Sequence, residues 1–391
     1  MLFYAMILVL ILNGLIWTSG LKFIHLFFLF ILSFGLFYYL FFRLRALVKY
    51  KQFIQKLELY TQKNRWINII SGVILLFIFM HFIELSGSPL IKAFKSLDYY
   101  GIVDLRKSIT RDHAFYWNYG LNFSLKAIIP FLILYFHIKG PRWFFYFFVA
   151  LSSFYALSLL QKSFIVTIFL PLIVYTVYEQ KWKILLISMF IIISGIVNIY
   201  FATNPVLRGG KPAKSIVIAE KKGERSKYRI VVIGKAITKR LAIIPGEMVS
   251  EWFENIPSKK PFLFGQGYRF IAPFLGKEYV SYSLELYPIM KPKFAEKGVK
   301  GSVNAASFMY EYANFGWLGL ILSGFLLALI FNFVELIFFQ HTLLKICLNI
   351  FPMLMLSSTS LFTLLLTGGW IINILLFVCF SGSFIKDESI G

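Results

Sequence analysis

The sequence predicts an all-α polytopic membrane protein of about ten transmembrane helices with one large extracytoplasmic loop of short helices. Three observations carry that prediction. Of 391 residues, 59% are hydrophobic and 15% charged, against roughly 45–50% and about 25% in soluble domains. Ten runs carry little or no charge, each close to the roughly 20 residues that a helix needs to cross a bilayer. One long hydrophilic segment, 203–306, interrupts them. A soluble globular protein is excluded, and 45 Phe, 22 Tyr and a mean hydropathy of +0.74 exclude a disordered chain.

The runs lie at about 2–19, 23–42, 66–83, 121–138, 143–160, 163–178, 184–202, 315–338, 346–366 and 369–385. The first has no basic leader and no small-residue cleavage site, and a second run follows at once, so it reads as an uncleaved span. From Ile346 to Ile385 there is no charge, and Thr367-Gly368-Gly369 reads as a tight turn between the last two spans. Cys347 and Cys379 both fall in apolar runs, which supports neither a disulfide framework nor a thiolate metal site.

Basic residues of short loops set the orientation. Segment 43–65 carries Arg43, Arg45, Lys49, Lys51, Lys56, Lys63 and Arg65, which places it, and with it both termini, in the cytoplasm. The organisation expected is then residues 1–202 as seven spans with the basic cytoplasmic loop 43–65 and an outer loop 86–120. Residues 203–306 form the large outer loop, and 307–391 form three spans and a short tail. The 104-residue loop holds 19 basic and 8 acidic side chains, half of the chain's net charge of +22. Loops of this length cross regardless of charge, and one without any structure would be unusual.

Three sections of that loop carry candidate chemistry. From Lys227 to Ile244, Val231, Val232, Ile237, Leu241 and Ile244 recur at helical spacing between Lys235, Lys239 and Arg240, the pattern of a basic helix at a membrane surface or of a solvated face near anionic lipid. After a break at Pro245-Gly246, Glu247, Glu251 and Glu254 share one helical face. Such a face supplies a general base or pairs with the basic helix before it. From Pro261 to Pro292, Phe264-Gly265-Gln266-Gly267-Tyr268-Arg269, Tyr279, Tyr282 and Tyr287 offer aromatic faces for sugar rings or an ordinary interfacial belt.

Charge close to the membrane is the next signal, because it is expensive there. Lys162 lies in a short turn between spans, Arg208 just beyond the seventh span and Glu311 just before the eighth. Loop 86–120 contains Asp98, Asp104, Arg106, Arg111, Asp112 and His113, whose spacing matches no metal motif. No nucleotide-binding, zinc-hydrolase or serine-hydrolase motif occurs. The basic excess is spread over membrane loops, pointing to anionic lipid or lipid-linked phosphate rather than nucleic acid.

The run Glu311-Tyr312-Ala313-Asn314-Phe315-Gly316-Trp317-Leu318-Gly319 resembles the E-x-Y-x-x-F-G-x-x-G run of the Wzy-type O-antigen polymerases, the oligosaccharide repeat unit polymerases. Arg240 followed by Pro245, and Ile256-Pro257 leading to Phe264-Gly265 and Pro273, are similar to the order of residues in that family's large loop. Gln161-Lys162-Ser163 stands where relatives often have a Ser/Gly-Arg-Gly turn. The resemblance spans about residues 155–340 and implies a type C glycosyltransferase-like fold. It also implies a multi-pass protein of the bacterial inner membrane with a periplasmic site and neither cofactor nor metal.

The activity it implies is transfer of a growing glycan from undecaprenyl pyrophosphate to a new lipid-linked repeat unit. Arg240 with Glu247 or Glu251 is expected to be catalytic. Arg208, Arg240, Arg269 and Lys162 are expected to hold pyrophosphate, because the planar guanidinium fork suits phosphate. Tyr268 and Glu311 are expected to contact sugar. The implied partners are the undecaprenyl-pyrophosphate-linked oligosaccharide, membrane lipids and a chain-length regulator, with no nucleic acid. An O-antigen ligase, and a flippase or transporter of lipid-linked oligosaccharide, stay open as alternatives.

Overall fold

Every regular element described by the computed structural model is helical, and its described residues are 2–47, 65–96, 101–102, 105–106, 108–109, 114–204, 239–240, 242–296 and 301–385. The principal helices are α1 (Leu2–Ser19), α2 (Ile24–Leu47), α3 (Arg65–Glu84), α4 (Pro89–Lys95), α5 (Phe115–Phe123), α6 (Ile129–Ile138), α7 (Arg142–Ser158) and α8 (Lys162–Tyr178). They continue with α9 (Trp182–Thr203), α10 (Ile244–Asn255), α11 (Tyr282–Met290), α12 (Ser307–Phe315), α13 (Trp317–Ile337), α14 (Thr342–Met355), α15 (Leu361–Leu365) and α16 (Trp370–Phe380).

Among the described residues, seven helical segments are long and apolar enough to cross a membrane: Leu2–Ser19, Ile24–Arg45, Trp66–Lys95, Phe115–Ile138, Trp182–Thr203, Trp317–Ile337 and Leu361–Phe380. This is a helical, multi-pass membrane protein. Lys162–Tyr178 and Thr342–Met355 are apolar but shorter.

The chain divides into two compact units, the first formed by Met1–Tyr50, Arg225–Leu336 and Pro352–Leu364. In it α1 ends at Gly20, whose φ of +60° only glycine adopts without strain. The chain then turns directly into α2. Helices α2 and α13 run parallel: Ser33 Oγ donates to the Ile321 carbonyl at 3.0 Å, Asn332 Nδ2 to that of Tyr38 at 3.4 Å, and Arg45 pairs with Glu335 at 3.2 Å. A Cβ on Gly324 would lie 2.7 Å from the Phe34 nitrogen, so glycine is what allows this approach. Tyr4, Phe30, Phe34, Phe308 and Phe331 fill the core between these helices.

The second unit is Lys51–Glu224, Ile337–Phe351 and Leu365–Gly391. Its centre is α6, buried from Ile129 to Phe136, with Phe136 against Phe144 and Phe148 of α7 and Phe131 against Phe380 of α16. Helices α5 and α6 join through a π turn, Ser124–Ile128. Pro130 has no N–H to give the Lys126 carbonyl, its acceptor in a regular helix, so the ladder shifts and Ile129 N–H reaches back to Ser124 instead. Trp370 Nε1 donates to Asn349 Oδ1 at 2.6 Å, closing α16 on α14.

Two boundaries differ from the sequence expectation. The run 346–366 is not one helix: α14 ends at Met355 and α15 begins at Leu361. Pro352 lies in the last turn of α14, and the hydroxyl-rich run Ser357–Ser360 competes for backbone partners. Ser357 Oγ donates to the Leu354 carbonyl at 2.7 Å, and Ser360 Oγ accepts from Thr363 N at 3.2 Å as the cap of α15. The expected turn at Thr367–Gly369 is present, with Gly369 at φ +78°. The expected break at Pro245-Gly246 lies just ahead of the proline instead, at Ile243, because proline is tolerated in a helix's first turn and α10 starts at Ile244.

Candidate functional site

The run that carries the family resemblance folds as an elbow between α12 and α13. Gly316 has φ +61° and ψ −138°, a conformation essentially reserved for glycine. A Cβ on Gly319 would fall 2.0 Å from the Glu311 carbonyl oxygen, so the first turn of α13 packs directly on the backbone of α12. Two glycines three residues apart are what this elbow requires.

Loop 256–282 docks on the elbow. Leu263 N and Phe264 N donate to the carbonyls of Ala313 and Asn314 at 3.0 and 2.9 Å. Asn314 Oδ1 accepts from Gly265 N and Gly267 N, both at 3.1 Å, while its Nδ2 donates to the Tyr310 carbonyl at 2.8 Å. Tyr312 OH donates to the Ile256 carbonyl at 3.2 Å. Trp252 Nε1, fully buried, donates to the Val303 carbonyl at 3.0 Å. A water-sized cavity of about 20 Å³ lies among Trp252, Gly267, Tyr279, Tyr310 and Asn314.

Glu311 sits inside this assembly. It has no exposed surface, and among the described residues its carboxylate oxygens meet no hydrogen-bond partner beyond its own backbone N–H. Burial pushes its pKa up to about 8, so the carboxyl is mainly protonated at neutral pH. The Tyr268 hydroxyl is likewise buried without a partner, and it is held above its ordinary range by burial and then by the charge of Glu311. Tyr310 is raised in the same way, by burial first. Ser307, at the start of α12, is also buried, with its hydroxyl beside that of Tyr4 on α1. Its backbone N–H donates to the Leu356 carbonyl at 2.8 Å, an acceptor that the break after α14 leaves free, and Phe362 of α15 closes over the Tyr268 ring at 5.3 Å.

Helix α10 lies along α1 with its backbone in contact. A Cβ on Gly246 would meet the Ile11 oxygen and Leu15 nitrogen at 2.2 Å, and one on Gly14 would meet the Ile243 oxygen at 2.3 Å. Asn13 Nδ2 donates to the Ala242 carbonyl at 3.2 Å at one end, and Lys22 pairs with Glu254 at 2.9 Å at the other. The two helices are therefore parallel. Since Gly14 lies five residues before the end of α1 at Ser19, at 1.5 Å per residue the start of α10 is about 8 Å inside that end. The start of α10 therefore lies beside the apolar helix α1 rather than beyond its end.

The expected site residues fall as follows. Arg240 is exposed, immediately before α10, and Glu247 and Glu251 are half-buried on α10. Arg269 is exposed and lies 4.9 Å from the Tyr279 ring centre. Tyr268 and Glu311 come together in the buried cluster. All of these belong to the first unit, whereas Lys162 belongs to the second, exposed at the start of α8 with its ammonium 5.1 Å from the Tyr200 ring centre. Arg208, most of the expected basic helix 227–244, and Asp98, Asp104, Arg111, Asp112 and His113 lie outside the described residues. Among the described residues no group of His, Cys, Asp and Glu has the geometry of a metal site. Asn314 and Ser307 were not singled out by sequence reasoning. Asn314 is within the recognisable run, but nothing in its spacing signals a cap on a loop fifty residues away.

No protein-family model, no curated protein and no solved structure matches this chain.

Proposed function

We propose that this protein is a polymerase of lipid-linked oligosaccharide repeat units, transferring a growing glycan from undecaprenyl pyrophosphate to a new lipid-linked unit at the periplasmic face of a bacterial inner membrane. The observation that carries the reading is convergence. Two stretches separate in sequence, Arg240 through the 256–282 loop and the Glu311–Gly319 elbow, pack within one unit, and they carry most of the family resemblance. The parallel run of α2 and α13 supports an odd number of crossings between them, as ten spans with both termini cytoplasmic require.

In this reading an acceptor sugar hydroxyl attacks the donor's anomeric carbon. The new C–O bond forms as the bond to pyrophosphate breaks, and the hydroxyl proton passes to Glu247 or Glu251. Arg240 and Arg269 balance charge developing on the leaving pyrophosphate. Glu311, protonated, donates a hydrogen bond to a sugar hydroxyl beside Tyr268. A chain-length regulator is a further partner.

The test is a gel of surface polysaccharide, with lipid-linked intermediates, from cells with and without the gene and from cells carrying Arg240→Ala or Glu247→Ala. Loss of the long ladder with single repeats retained supports a polymerase. Long chains accumulating on the polyprenyl carrier would show a ligase, and repeats trapped on the cytoplasmic leaflet a flippase. Normal ladders in both variants would overturn the assignment of these residues.

A further inference from the structure

The second unit contains a charged group that this reading does not use. Lys126 is the twelfth residue of the 24-residue segment Phe115–Ile138, on the π turn between α5 and α6. It is half-buried and has no hydrogen-bond or ion-pair partner among the described residues. The elements packed against the turn, α5, α6, α8 and α16, contain no Asp or Glu. An ammonium within the hydrocarbon without a counter-charge is costly and is by default a functional position.

A polar track leads to it. Asn118, Asn122 and Lys126 follow one another at intervals of four, so they share a helical stripe, and all three are half-buried. Phe115, Tyr116 and Tyr119, around the start of this stripe, are exposed aromatic rings, the arrangement of an interfacial belt. Lys126 lies seven residues, about 10 Å, below Tyr119. A helical side chain leans toward the N-terminus, so the lysine stem spans most of that distance toward the belt.

We propose that the Asn118–Asn122–Lys126 stripe binds the phosphate of an anionic membrane lipid, with the Lys126 ammonium as its counter-ion. The stripe starts at the aromatic rings of the belt, the level at which lipid phosphates lie, and Asn122 Nδ2 is fixed along it by donating to the Asn118 carbonyl at 2.7 Å, so a phosphate anchored at that level by its own acyl chains meets the Lys126 ammonium reaching up from below.

The test places the photo-crosslinking residue p-benzoylphenylalanine at position 119 of the full chain, in vesicles of phosphatidylglycerol and phosphatidylcholine in equal parts, and identifies the crosslinked lipid by mass spectrometry. Phosphatidylglycerol is expected in excess by about fivefold, the preference that ~1 kcal/mol per paired lysine gives. Lys126→Met and Lys126→Gln should bring the two lipids to parity, and Lys126→Arg should keep the excess. Parity with the native lysine, or an excess that survives in both neutral variants, would overturn the proposal. Loss of the excess on adding millimolar inorganic phosphate would overturn the lipid as its source. If the neutral variants fail to fold, the native chain and Lys126→Arg still decide.

Discussion

Replacing Glu311 by glutamine removes a titratable group while keeping its shape, and the structure sets the consequence. An ordinary glutamate titrates near 4.5, whereas burial raises Glu311 to about 8. Between those values the folded protein holds a proton that the unfolded chain has released, so stability falls as pH rises from 4.5 through 8 and is level beyond it. At about 1.4 kcal/mol for each pH unit, the full interval is worth on the order of 5 kcal/mol. Domains of 150–250 residues shift by roughly 2–4 °C per kcal/mol, so between pH 6 and pH 8 the native protein should lose roughly 5–10 °C more in apparent melting temperature than Glu311→Gln. Intrinsic tryptophan fluorescence of the purified protein in detergent, scanned at matched rates, reads this directly. Equal pH dependence in the two proteins would refute the reasoning, because it would mean that the carboxyl is ionised in the fold or reaches solvent.

Two further predictions concern the scaffold. Asn314→Ala leaves the N–H groups of Gly265 and Gly267 without their shared acceptor; at about 1–3 kcal/mol for an unsatisfied buried group, it should lower the melting temperature and hasten proteolysis within 257–282, and unchanged proteolysis would count against the cap. Gly246→Ala puts a methyl group 2.2 Å from the backbone of α1 and should destabilise the protein by about 1–3 kcal/mol, with less disulfide crosslinking between cysteines placed at Asn13 and Ala242; undiminished crosslinking would show that the two helices are not in backbone contact.

The sequence was legible where hydrophobicity alone decides structure. The runs at 2–19, 23–42, 184–202 and 315–338 mark α1, α2, α9 and α13 within a few residues. It was less legible where polar backbone competition decides, as at Ser357–Ser360, which splits an uncharged run that hydropathy reads as continuous. The run from Glu311 to Gly319 was visible through its resemblance to the E-x-Y-x-x-F-G-x-x-G run of the O-antigen polymerases. The burial of Glu311, by contrast, brings in Tyr268 and Tyr4 of α1, contributed from remote parts of the chain. The lengthwise contact of α10 with α1 was invisible for the same reason. Gly14 and Gly246 are each an unremarked glycine until the two are brought together.

The elbow separates residues that serve folding from one that does not. Gly316 and Gly319 are required by backbone geometry, Asn314 by two loop N–H groups, and Tyr312 by the Ile256 carbonyl. Each stabilises the fold it occupies. Glu311 does the opposite: a buried carboxyl without a partner weakens the protein across the physiological pH range, and glutamine or leucine there would serve the packing better. Natural proteins break local rules of stability chiefly at functional sites. A group that opposes stability, within a run whose Tyr312, Asn314, Gly316 and Gly319 each have a folding role, is what the proposed sugar contact at Glu311 would account for, and Tyr268, whose hydroxyl is also buried without a partner among the described residues, lies beside it.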